Sequence, residues 1–137
     1  MFIMAVDGYR WVEHTAELEL EIHGHSEAAV FAQALRAFAE LVGDGHSGEP
    51  VTRQITLVGA ERAVLLAQWL DELEFLAETE DLVPDGIDAL GLDEGGLTAT
   101  VRAHRGRPHT VVKGVTYHRL AFEHRRDGYW ATVILDV

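Results

Sequence analysis

The chain has no cysteine. Disulfides, thiolate metal sites and a cysteine nucleophile are therefore excluded. Proline is also scarce, at 3 of 137 residues, and there is no linker, low-complexity segment or clear internal repeat. No stretch approaches the ~20 apolar residues of a membrane helix. The opening residues Met1-Phe2-Ile3-Met4-Ala5-Val6-Asp7 carry neither the basic region nor the apolar run of a signal peptide. A cytoplasmic protein is expected. Positive charge is the other shortage: 11 basic residues stand against 23 acidic ones, a net charge of −12. Such a field repels a phosphate backbone. Direct nucleic-acid binding is disfavoured, and a basic protein partner or a cation is favoured. Lys113 is the only lysine, every other basic residue being arginine. It is a compact point charge where the rest are planar forks.

What is present reads as one domain over residues 1–137, with an apolar fraction of 47% that supports a core. Leu18, Leu20 and Ile22 alternate with Glu17, Glu19, Glu21 and His23, the period of a half-buried strand. Ser26 is placed to cap a helix carrying Phe31, Ala34, Leu35, Phe38, Leu41 and Val42, stopped at Gly43. A loop is expected from Asp44 to Pro50 and a strand from Val51 to Val58. A second helix follows Gly59, with Leu66, Trp69, Leu70, Leu73 and Leu76 on one stripe. Asp71, Glu72, Glu74 and Glu78 form its other face, a solvated surface or a dock for a basic partner. Strands are expected over Ile87–Leu92, Leu97–His104, His118–Arg126 and Tyr129–Val137. The first two are joined at Asp93-Glu94-Gly95-Gly96, and the last two at Asp127-Gly128. Two helices on one face of a mostly antiparallel sheet make an α+β, two-layer sandwich.

No P-loop, GxSxG or HExxH pattern occurs, so no enzyme mechanism is written in the chain. Chemistry concentrates in three segments: Glu13-His14-Thr15-Ala16-Glu17, Val112-Lys113-Gly114-Val115-Thr116-Tyr117-His118, and Ile134-Leu135-Asp136-Val137. Asp136 shares a strand face with Ile134 and Thr132, where a carboxylate must be solvated, paired or bound to a cation. If the native chain ends at Val137, its α-carboxylate lies next to Asp136, and the two are the start of an oxygen-ligand site. Glu17 and His14 are further candidates. His23 and His25, two apart, have a spacing that zinc also uses, without an obvious third ligand.

These segments, together with Trp69-Leu70-Asp71-Glu72-Leu73 and Glu78-Thr79-Glu80-Asp81-Leu82, resemble the archease family in order and spacing from about Trp11 to Val137. The resemblance implies a two-layer α+β fold built on a strand-helix-strand-strand module. It implies no catalysis of its own but an accessory role. Archeases promote guanylylation of the histidine of a GTP- and metal-dependent RNA-splicing ligase, and its multiple turnover, in tRNA splicing or RNA repair. By motif position the family's acidic metal-site pair falls on Glu17 and Asp136 and its lysine on Lys113. His14 lies inside the same motif. Ca²⁺ is the expected ion, with Mg²⁺ or Mn²⁺ as alternatives. Glu17 stands where the family usually has aspartate, so its carboxylate reaches one methylene further, and Gly114 stands where it has alanine. Two other readings compete: a chaperone-like adaptor of another RNA-modifying enzyme, and a small carboxylate-metal hydrolase using Glu17, Asp136 and His14.

Overall fold

The computed structural model describes residues 7–43, 48–108 and 112–137. Seven strands and two helices are described: β1 (Gly8–His14), β2 (Glu17–Gly24), α1 (Glu27–Val42), β3 (Pro50–Val58), α2 (Arg62–Glu80), β4 (Leu82–Asp93), β5 (Gly96–Arg105), β6 (Gly114–Arg125) and β7 (Gly128–Asp136). Every strand pairing is antiparallel. The strands form two sheets, of order β1-β2-β7-β6 and β3-β5-β4, where the sequence suggested one. The division arises because β7 returns to lie between β2 and β6, while β3, β4 and β5 pair among themselves.

The helices join the two sheets into one layered body. α1 lies against β2 and β4, and α2 against β6 and β4. Leu20 and Ile22 of β2 and Val133 and Leu135 of β7 are buried with Phe31, Leu35 and Phe38 of α1. This is the alternation read from the sequence, with the apolar side of each strand turned to the helices. Ser26 caps α1 as expected, its Oγ accepting from the Ala29 N–H at 3.1 Å. Gly43 ends the helix, but in an extended conformation (φ −74°). Glycine is required there by closeness, since a Cβ would lie 2.7 Å from the Ala39 carbonyl oxygen.

Four boundaries differ from the sequence reading. β1 was not foreseen, because Gly8–His14 has no clean alternation. β4 begins at Leu82 instead of Ile87: Pro84 and Gly86 mark a bulge within the strand, which an edge position tolerates because no ladder donor is lost on the free side. β6 begins at Gly114, and its register breaks between Thr116 and Ala121. Finally, the β6–β7 turn is centred on Arg126 and Asp127, because Gly128 pairs with Arg125 and opens β7. The expected loop from Asp44 to Pro50 lies partly outside the described residues; Pro50 itself opens β3. No described helix is long and apolar enough to cross a membrane.

Candidate functional site

The three segments singled out in the sequence meet at one end of the four-stranded sheet. His14 of β1 is the register partner of Glu17. Glu17 is the partner of Asp136, and Asp136 is the partner of Gly114, next to Lys113. The result is a row, His14–Glu17–Asp136–Gly114, running across four adjacent strands. Directly opposed residues of an antiparallel pair project to the same face, so the Glu17 and Asp136 carboxylates are neighbours on the side of the sheet away from the helices.

Backbone hydrogen bonds lock this corner. The Lys113 N–H donates to the Asp136 carbonyl at 2.7 Å, and the Val137 N–H donates to the Ala16 carbonyl at 3.2 Å. Ala16 has φ +60°, a left-handed conformation that costs a non-glycine residue about 1 kcal/mol. The turn between β1 and β2 is thus held by Val137. Glu17 and Asp136 are half-buried, while Lys113 and His14 are exposed. Among the described residues no ion pair occupies the Glu17 or Asp136 carboxylate.

Two hard oxygen donors, side by side and unpaired, are the chemistry a Ca²⁺- or Mg²⁺-type ion accepts. Among the described residues no group of three or more His, Asp or Glu side chains stands ready to hold a metal. The corner therefore supplies a pair of carboxylates, not a closed cage. The His23 and His25 pair does not form a site. His23 stacks on Trp130, with centroids 4.9 Å apart, and His25 is bonded to Asp7, Nδ1 to Oδ2 at 2.9 Å.

Sequence reasoning missed Glu19. It lies two residues from Glu17 on the same face, yet is only 4% exposed. Its cover is the irregular part of β6. Arg119 adopts φ +57°, its carbonyl accepts from the Thr132 hydroxyl at 2.8 Å, and its Nη2 lies 3.3 Å from Glu19 Oε1. On the other flank His14 Nε2 stands 3.8 Å from Glu19 Oε2. The signal was present in β7, where Ala131 to Leu135 includes Ile134 on the outward side. Ile134 is 1% exposed, and an apolar residue on both faces of a strand means both faces are covered.

A second electrostatic feature lies on α2. Burial, then a hydrogen bond to Glu78, then the charges of Glu78 and Asp71 push the Glu74 carboxyl up to about 7. Burial likewise raises Asp71, against a hydrogen bond from the Val115 backbone. A carboxyl raised by folding favours the protonated native state. Its stabilising contribution is complete below its unfolded value and is lost as pH rises from about 4.5 to about 7. Glu74→Gln is therefore expected to leave the melting temperature unchanged near pH 4.5 and raise it at pH 8. Solvent screening of this partly exposed group reduces the gain to about 1 kcal/mol. Thermal melts at the two pH values check it; an equal change at both contradicts it.

The architecture and the corner define a class: small acidic α+β proteins in which two helices pack on antiparallel sheets and a carboxylate pair is assembled from the first hairpin and the last strand. A model of the Archease protein family (MTH1598/TM1083) matches residues 9–137, and the chain belongs to the archease family. It is 30% identical over 137 residues to protein archease of Saccharolobus islandicus, spanning 94% of this chain and 98% of that one. It is 28% identical over 139 residues to protein archease of Methanosarcina acetivorans, spanning 94% and 95%. The solution structure of Methanobacterium thermoautotrophicum protein 1598 superposes with a TM-score of 0.72 at 28% identity, covering 95% of this chain and 99% of that one. A Thermotoga maritima protein described as an archease, possible chaperone, shares the fold with a TM-score of 0.66 at 24% identity.

Proposed function

We propose that this protein is an accessory factor of a GTP- and metal-dependent RNA-splicing ligase, promoting guanylylation of the ligase histidine and multiple turnover. The observation that carries the reading is the row His14–Glu17–Asp136–Gly114, which gathers Glu17, Asp136 and the Lys113 segment at one sheet end. Glu17 and Asp136 hold the divalent ion, Ca²⁺ first and Mg²⁺ or Mn²⁺ as alternatives. A divalent ion supplies concentrated positive charge that neutralises phosphate oxygens. Lys113, fixed by its backbone bond to Asp136, directs its ammonium to a carboxylate or a phosphate. His14 flanks the pair and leans on Glu19. The net charge of −12 steers the protein to a basic surface of the ligase and away from bare RNA.

The test is ligation by the ligase of the same organism at limiting enzyme, with excess RNA ends, GTP and a divalent ion. With this protein, product is expected to exceed one equivalent of ligase by many fold; without it, to level off near one. Identical curves would remove the reading. The adaptor reading would then lead, since the same acidic surface serves any basic partner, and co-purification would identify it.

A further inference from the structure

The acidic stripe of α2 runs beside an apolar groove that the corner does not use. The groove, of about 80 Å³, is lined by Phe38 and Val42 of α1, Ala77 of α2, Pro108 and Val112, with Glu74 and Glu78 of α2 also on its lining. Next to them on the helix, Phe75 is 54% exposed. Asp71 and Glu78 each lie three or four residues from both Glu74 and Phe75, so the four side chains form one continuous surface. We propose that this groove and stripe are a docking site for a segment of a protein partner that presents an arginine or lysine flanked by apolar side chains.

The occupant follows from what is present. Like charges at helical spacing repel, and Glu74 and Glu78 stand one helical turn apart at the same groove. No basic residue pairs with Asp71, Glu74 or Glu78 among the described residues, although Arg53 pairs with Glu80 at the end of the same helix. A guanidinium or ammonium set between the two carboxylates relieves the repulsion. Its methylene stem and apolar neighbours cover Phe75 and the groove floor, as long basic side chains do. Phosphate or RNA is the wrong sign for this surface. An exposed aromatic within a ring of charge is also the composition of interface anchors.

The proposal rests on the accessory reading only for the partner's identity, so two arms are needed. In the first, the isotope-labelled full chain is titrated by NMR with a short peptide of alternating leucine and arginine. Shifts are expected to concentrate at Glu74, Phe75, Glu78 and Val112. They should saturate, and weaken about fivefold or more in Phe75→Ser and in the double variant Glu74→Lys/Glu78→Lys. No shifts, shifts spread evenly over all acidic residues, or unchanged affinity in folded Phe75→Ser overturns the site. In the second arm, the ligase is captured on immobilised protein. Capture by wild type and loss in both variants assigns the dock to the ligase, and equal capture by all three overturns that assignment. A ligase that never binds wild type counts against the accessory reading, and the peptide titration still decides the groove.

Discussion

Asp136→Ala is expected to abolish stimulation of the ligase while leaving the fold intact, and Glu17→Ala to do the same. The two carboxylates are register partners at the ends of β2 and β7, and neither is engaged by a basic side chain among the described residues. In the proposed role each would supply one of the two side-chain carboxylates offered to a cation. Substituting groups that merely orient a metal ligand costs 10–100-fold in affinity as a rule, so removing a ligand outright is expected to cost about a hundredfold or more. Calorimetric titration of the protein alone with calcium or magnesium chloride reads that loss directly. The stability cost is small, about 0.5 kcal/mol, because a partly exposed strand-end side chain contributes little packing. Asp136→Asn separates charge from shape: it keeps the volume and is expected to be as inactive as alanine. A folded Asp136→Ala protein that binds the ion and activates the ligase like wild type would refute the role of the corner.

Trp69→Ala is expected to destabilise the protein by about 3–5 kcal/mol, the range for emptying a large aromatic site. Trp69 is completely buried, meets Phe31 edge to face at 6.2 Å, and donates its indole N–H to the Phe31 carbonyl at 3.0 Å. It is thus both the largest buried side chain of α2 and a direct tie to α1. The helices are what connect the two sheets, so this contact supports the frame in which β2 and β7 align. Alanine leaves a cavity and strips a partner from a buried carbonyl. For a chain of this size the melting temperature should fall by roughly 10–20 °C. A fall of only a few degrees would mean that the helices are held chiefly by something else. Trp69→Phe retains most of the volume and should lose much less.

The helices and the central strands were legible in the sequence because single-face burial leaves a period: two in β2 and β5, and three and four in α1. The sheet arrangement was not. Which strand lies beside which is decided by long-range pairing, and no local pattern announces that β7 inserts between β2 and β6. The same insertion makes the site. His14, Glu17, Lys113 and Asp136 were each identified in the sequence, but their adjacency depends on the return of β7. Glu19 illustrates the opposite limit. Its period places it on a solvent face, and the irregular turn of β6 at Arg119, with His14 on the other flank, covers it. Punctuation misled at Pro84 and Gly86, which bend a strand without ending it.

The central claim, that this chain accelerates the charging of a ligase histidine, is tested most directly by guanylylation itself. Purified ligase of the same organism is incubated with labelled GTP and a divalent ion, and the covalent ligase–guanylate is followed over time with and without this protein. The account predicts faster accumulation with wild-type protein and the unassisted rate with Asp136→Ala. Equal rates with and without wild-type protein, from a ligase that is itself active, would contradict it.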